Sequence, residues 1–414
     1  MALATGLGGT LLACSGTSSA ATTASARDAS TARAGKQLAG LAQTAADQGS
    51  LGVIVRVDRG RGKPVTTARQ ASWTKADHRL GVDDKFRVGS NTKTVTATLV
   101  LQLVAQHRID LADPVEKWLP GVVRGGEDIT VKMLLNHTSG LDDYLLTPAF
   151  LPSLTGQEQR AWRPGELLAI TPPQSPPSAP GKKHFYSNAN YTALGMILEK
   201  ATGSSLDDLI EQRITGPLRM RDTFLSKDAD WGRGRHVTGY EPDAARLKRI
   251  LAPAVELPDG VGFAGPERPQ ENINTARIDP SWSWAAGGMV STARDWQRFQ
   301  KALMSGKLLP KAQLKQMRTT VPDPEEGGGY GLGLMKVTTS CGTVWGHTGG
   351  LPGYSSEFYT DARGRRSVAV LTSTNFGIKE PKAAAANDKL VDAAVCTMLD
   401  KPHAPATEPT SPTR

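Results

Sequence analysis

The chain has 414 residues, 39% of them hydrophobic, and a formal net charge of +9. That length suits two domains or one large domain with an insert, and the apolar share is ample for a buried core. Its basic residues are scattered, with nothing longer than pairs such as Arg365-Arg366, so no nucleic-acid stripe is indicated and a soluble basic surface is expected.

Residues 2–13 are small and apolar and end in Leu11-Leu12-Ala13-Cys14. Such a stretch resembles an export signal, and its last four residues resemble the lipobox of bacterial lipoproteins, which makes Cys14 a candidate lipid anchor. No Lys or Arg precedes Arg27, so two alternatives stay open: Met1 is internal to a longer gene product, or cleavage falls within residues 18–26. No apolar run approaches the length that spans a bilayer. Residues 15–35, rich in Ser, Ala and Thr, read as a flexible linker. Residues 1–35 are thus expected to be signal and linker, 36–400 the folded domain, and 401–414 a disordered tail.

Leu51 to Val57 alternates and is β-branched, which predicts a strand. Val65-Thr66-Thr67 resumes after a Gly-Arg-Gly-Lys turn, which predicts a hairpin. Phe86-Arg87-Val88-Gly89 leads into a helix carrying Val95, Leu99, Val100, Leu103 and Val104. From about 110 to 300 the signals are helices and long loops. Thr343 to Gly346, Ser355 to Tyr359 and Ser367 to Leu371 alternate like antiparallel strands, and Ala383 to Leu399 reads as a closing helix. The expected fold class is α+β: N- and C-terminal strands joined in one antiparallel sheet with flanking helices, plus a mainly helical lobe and a cleft between them.

Ser90-Asn91-Thr92-Lys93 opens the helix after Gly89. Residues three apart share a helix face, so the Ser90 hydroxyl and the Lys93 amine can meet. A serine becomes a useful nucleophile when a base beside it takes its proton. The same spacing recurs at Ser72-Trp73-Thr74-Lys75, but there no apolar stripe follows, and a polar surface segment is expected. Taken alone, Ser90 would read as a helix cap. Two further stretches change that. Tyr186-Ser187-Asn188 follows the proline-rich loop from Thr171 to Gly181 and precedes an amphipathic helix. A tyrosine held near Lys93 could move protons for Ser90, and Asn188 could bond a substrate amide. Gly346-His347-Thr348-Gly349-Gly350 ends a strand whose glycines admit a substrate and whose N–H groups can hold an oxyanion; His347 would supply a donor or positive charge. Each alone reads more simply as packing: a loop tyrosine, a strand-edge histidine.

Together, in this order, they resemble the penicillin-recognising serine hydrolases: class C β-lactamases, serine D-Ala-D-Ala carboxypeptidases and their esterase relatives, with a β-lactamase/transpeptidase-like fold. Tyr-Ser-Asn and His-Thr-Gly look most like the secreted actinomycete D-Ala-D-Ala carboxypeptidases. Phe86 to Ser90, Leu134 to Leu141, Tyr330 to Leu334 and Ser340-Cys341-Gly342 extend the likeness over roughly residues 40–400. The resemblance implies Ser90 as acylated nucleophile, Lys93 as its base and Tyr186 as proton shuttle. It implies an oxyanion hole from the N–H groups of Ser90 and Gly350, with Asn188, His347 and Thr348 orienting substrate and Trp282 lining the cleft. Trp282 could instead be a packing residue, with Trp284 its rival. His137 to Gly140 reads as a helix-ending turn.

Cys341 and Cys396 could be a disulfide pair in an exported protein or two buried thiols; the resemblance implies the disulfide. Two departures stand out. The carboxypeptidases carry an arginine after Gly-Leu-Gly-Leu and a threonine after His-Thr-Gly, both for a substrate carboxylate. Here those places hold Met335 and Gly350, and Lys336 should face the other side of its strand.

The expected function is an exported, extracytoplasmic serine hydrolase working through an acyl-serine, foremost a D-Ala-D-Ala carboxypeptidase. The alternatives are an esterase, D-amino-acid amidase or β-lactamase of the same family, or a module that acylates without turnover. Partners would be a small peptide, ester or β-lactam substrate, with cell-wall peptidoglycan as a neighbour. No nucleic acid, metal or cofactor is expected, and the chain should be a monomer.

Overall fold

The structure is a computed structural model; it describes residues 18–145, 147–173, 178–253, 257–258, 260–323 and 328–402. Residues 1–17, with Cys14 and the expected export signal, and residues 403–414 of the expected tail lie outside the described residues.

The N- and C-terminal strands form one eight-stranded antiparallel sheet. In chain order its strands are β1 (Gly52–Asp58), β2 (Val65–Gln70), β3 (Val321–Asp323), β4 (Gly328–Tyr330), β5 (Met335–Thr339), β6 (Gly342–Leu351), β7 (Tyr354–Thr360) and β8 (Ser367–Thr372). Their order across the sheet is β2-β1-β8-β7-β6-β5-β4-β3. The expected hairpin pairs Val55 with Thr67 and Val57 with Val65. β1 then runs against β8, with Val53 opposite Thr372 and Val57 opposite Val368. The first and last strands of the chain thus pair near one edge of the sheet, one strand in from it.

One face of the sheet is covered by two helices, α1 (Ser18–Ala45) and α5 (Pro381–Leu399). Leu38 and Ala42 of α1 and Leu390, Ala394 and Met398 of α5 share a core with Val53, Val55, Val57 and Val370. The reading of 15–35 as linker differs from the structure here. Residues 18–35 continue the helix whose later turns dock on the sheet, because alanine-rich sequence propagates helix readily once packing anchors one end.

The other face meets the helical lobe. There α2 (Thr92–Ala105) is apolar almost all round and buried along nearly its whole length. It packs with α3 (Asn188–Thr202) and, through the same core, with α4 (Ala293–Met304). Ser72 and Lys75 are exposed in a short 3-10 turn, as their lack of an apolar stripe predicts. Cys341 and Cys396 form a disulfide joining the β5–β6 turn to α5. Among the described residues no helix is long and apolar enough to cross a membrane.

Leu390 is fully buried between α5 and the sheet. Leu390→Ala should lower unfolding free energy by about 2–4 kcal/mol in denaturant titration, because the cavity cannot collapse between a sheet and a helix held by the disulfide.

Candidate active site

Ser90 lies in a 3-10 turn, Gly89–Asn91, that runs directly into α2 at Thr92. The turn still brings the two groups together, with Lys93 Nζ 3.0 Å from Ser90 Oγ. Ser90 is half-buried, whereas Lys93 is fully buried. Burial favours the neutral amine and lowers Lys93 from its usual value to about 7; the charge of Asp143 works against that shift.

The other two acceptors on Lys93 are Asn188 Oδ1 at 2.7 Å and the carbonyl of Ala286 at 2.8 Å. Neither can donate. A neutral amine has two N–H bonds and one lone pair. With both N–H bonds committed to Asn188 and Ala286, the lone pair is left to face the Ser90 hydroxyl, the orientation a general base needs.

Asn188 is itself fixed from behind. Its backbone N–H and its Nδ2 both donate to Asp143 Oδ2, at 3.0 and 2.7 Å. Beside the expected substrate contact, Asn188 thus has a role the sequence did not reveal: held between Asp143 and Lys93, its amide positions the base. Burial raises Asp143 above the ordinary carboxylate range.

Tyr186 lies over the amine, its ring centroid 4.8 Å from Lys93 Nζ. The loop carrying it is seated on His137. That residue has φ 58, donates nothing from its Nδ1 but receives the N–H of Ser187 there at 3.2 Å, and accepts the N–H of Phe185 on its carbonyl at 2.8 Å. The His137 and Tyr186 rings pack with centroids 4.3 Å apart and planes tilted by 30°. His137 therefore fixes the tyrosine loop, a contact between distant segments that the reading of a helix-ending turn did not include.

β6 forms the opposite wall. Its pairing with β5 stops where Gly346 meets Met335, while β7 continues to pair through Leu351. One edge of residues 347–351 is thus left open beyond the end of β5. Thr348, Gly349 and Gly350 are half-exposed along it. Gly89, at φ +54, lets Ser90 come up against this edge: a Cβ there would stand 2.6 Å from Gly350 N. The backbone of residues 89–90 and that of Gly350 are therefore side by side, as an oxyanion cradle requires.

His347 departs from expectation. It is 1% exposed, and burial together with the nearby Lys93 lowers it to about 3, so it carries no positive charge at neutral pH. Its Nδ1 is 2.5 Å from the Thr348 carbonyl, which can only accept, so Nδ1 holds the proton and Nε2 accepts from the Tyr330 hydroxyl at 2.8 Å. With both nitrogens engaged, His347 braces the wall and is not a cationic donor to substrate; its ring lies 6.2 Å from that of Tyr186.

Trp282 also differs. It is 4% exposed and packs edge-to-face on Phe150 in the main core, so the cleft-lining role implied by resemblance has no surface to act through. Trp284 packs against Gly195 of α3. Met335 is 3% exposed, with its sulfur 3.9 Å from Thr348 Oγ1, while Lys336 is exposed, as strand alternation predicts. Among the described residues no three His, Cys, Asp or Glu side chains group as a metal site.

Comparison with known proteins agrees with this geometry. The model of the Beta-lactamase family matches residues 24–393. A D-stereospecific amidohydrolase from a Streptomyces species is 37% identical, with TM-score 0.69, over 86% of this chain and 97% of that one. Esterase EstB of Burkholderia gladioli is 29% identical over 74% of this chain and 82% of the relative. Penicillin-binding protein 4* of Bacillus subtilis is 25% identical over 71% of this chain and 62% of the relative.

Phosphonylation of Ser90 in the wild type by a serine-directed phosphonate, in which Oγ bonds to phosphorus and the reagent's leaving group departs, should rise with pH through about 7 as Lys93 loses its proton. Asp143→Asn removes the charge that holds this midpoint up, so the midpoint should move to lower pH. A stopped-flow pH profile of labelling reads both; an unmoved midpoint in the variant would contradict the coupling.

Proposed function

The chain belongs to the Beta-lactamase family of serine hydrolases, and within it we propose that this protein cleaves amide or ester bonds of D-configured acyl donors whose leaving group is uncharged. The observation that carries this is the neutral wall opposite Ser90: Met335 buried, His347 uncharged and Gly350 without a side chain. A peptide carboxylate brought there would lose its hydration with no fixed cation at these three positions to offset the loss. An amide or ester leaving group carries no such cost.

The chemistry runs in two halves. Lys93 takes the Ser90 proton as Oγ bonds to the substrate carbonyl carbon. The N–H groups of Ser90 and Gly350 receive the negative charge that develops on the carbonyl oxygen. Tyr186 relays a proton from Lys93 to the leaving nitrogen or oxygen as its bond to the carbonyl breaks. Water then attacks the acyl-Ser90 ester with Lys93 and Tyr186 accepting its proton, and Ser90 leaves reprotonated. The likeness to a D-stereospecific amidohydrolase and to an esterase supports this substrate class.

A D-Ala-D-Ala carboxypeptidase that binds penicillin is the second reading, favoured by the Tyr-Ser-Asn and His-Thr-Gly stretches and by the penicillin-binding relative. We also assign the chain to an extracytoplasmic compartment, since the Cys341–Cys396 disulfide persists most readily where thiols are not kept reduced.

A panel of a D-amino-acid amide, a D-amino-acid ester and a peptide ending in D-Ala-D-Ala with a free carboxylate separates the readings. The amide and ester should exceed the peptide in kcat/KM by about tenfold or more, a difference of about 1.4 kcal/mol in transition-state binding. Ser90→Ala should lower all three by about a thousandfold or more. The reverse order, with the free-carboxylate peptide preferred, would establish the carboxypeptidase instead.

A further inference from the structure

We propose that Asn375 is the residue that reads the leaving group, and that this group carries an uncharged carbonyl, as in an amidated or extended peptide. This rests on the acyl-serine reading above and specifies which part of the substrate the amide of Asn375 meets.

The starting observation is the space beside Gly350. A Cβ on Gly350 would stand 2.4 Å from Asn375 Oδ1 and 3.0 Å from its Cγ. Asn375, which follows β8 by three residues, has therefore taken the volume that a side chain at position 350 would fill. The chain did not simply lose a polar group from this wall. It receives one from another segment.

The position lies along the open edge of β6, on the face that carries Met335. Thr348 and Gly350 alternate onto the face shared with Gly346, whose partner across the ladder is Met335. Thr348 Oγ1 already touches Met335 Sδ on this face. Thr348, Gly350 and Asn375 are all half-exposed, so a substrate lying along the open edge of β6 can reach them.

Asn375 is also held in one orientation. Its Oδ1 accepts from Ser355 Oγ at 3.1 Å, and Ser355 is the residue opposite Gly350 in the β6–β7 ladder. Its backbone N–H donates to Glu241 Oε1 at 2.9 Å. Glu241 is fully buried and gathers the N–H groups of Gly353 at 2.6 Å, Phe376 at 2.9 Å and Gly377 at 3.3 Å as well. The turn is thus pinned at three backbone points and tied through the same carboxylate to Gly353 of the β6–β7 hairpin. With Oδ1 engaged, Nδ2 is the end available to a ligand, and it can only donate. An uncharged donor suits a carbonyl oxygen; it lacks the charge that would offset desolvation of a carboxylate.

The test uses one acyl donor with three leaving groups: acyl-D-Ala-D-Ala carboxamide, the same peptide with a free carboxylate, and the acyl-D-Ala methyl ester. Acylation and deacylation are resolved by following acyl-Ser90 with mass spectrometry in quenched flow. Asn375→Ala should lower acylation by the carboxamide about tenfold, the size expected for one lost hydrogen bond. Acylation by the methyl ester, which offers no leaving-group carbonyl, should change much less. Deacylation should not follow the acylation loss, because the leaving group has then departed.

Gly350→Thr alone should be severely impaired by collision with Asn375. In the Gly350→Thr/Asn375→Ala pair the hydroxyl gains room, activity should recover relative to Gly350→Thr, and preference should move toward the free-carboxylate peptide. Equal losses across all three substrates, a parallel loss in deacylation, or no recovery in the pair would each overturn the proposal. Absence of any acyl-Ser90 in the wild type would instead overturn the acyl-serine reading beneath it.

Discussion

The site depends on one enforced constraint: a lysine amine sealed in the interior, its N–H bonds taken by two carbonyl oxygens and, among the described residues, with no ion-pair contact. Lys93 lies under the Tyr186 ring and is fully buried. Burial makes its charged form costly, and the carbonyl of Ala286 and Oδ1 of Asn188 take its N–H bonds in fixed directions. The result is a base whose lone pair has one place to point. The Asp143 carboxylate, one residue removed, keeps that base from losing its charge altogether and holds Asn188 in the required orientation. Structure and reactivity are the same problem here, because each group that satisfies the buried amine also aims it.

The second constraint is the approach of two backbones. β6 outlasts β5 by five residues, and the edge thereby exposed faces the turn that carries Ser90. Only a residue lacking Cβ at position 89 lets these segments lie this close. The wall they form is held by uncharged contacts: His347 between Tyr330 and its own neighbouring carbonyl, Met335 against Thr348, Asn375 against Gly350. This is a surface built for hydrogen bonding along a strand and for groups without net charge.

Much of this was legible in the sequence. Strand alternation marked β1, β6, β7 and β8, and the apolar spacing after Ser90 marked α2. The order of the Ser-x-x-Lys, Tyr-Ser-Asn and His-Thr-Gly stretches located the three segments that meet. What stayed hidden depends on burial and on contacts between distant residues. His347 reads as a cation in sequence because histidine near pH 7 is ambivalent, and only its enclosure decides that it is neutral. Asn188 reads only as a substrate ligand because nothing in its own neighbourhood reveals Asp143, 45 residues earlier, as its partner. Trp282 carried a cleft role by resemblance alone, and packing on Phe150 withdrew it. Residues 18–35 lack an amphipathic signal, yet helix propagates through them from the docked half of α1. Asn375 left no local trace, since its meaning lies in a missing side chain 25 positions away.

The most direct test of this account is the protonation of Lys93 itself. Lysine side chains labelled with carbon-13 at Cε report their charge in the NMR spectrum, and comparison with Lys93→Met identifies the resonance. The account predicts that this resonance titrates near 7 in the free enzyme, while exposed lysines titrate near 10.4. A Lys93 resonance that stays protonated up to the range of the exposed lysines would contradict the claim that burial prepares it as the base for Ser90.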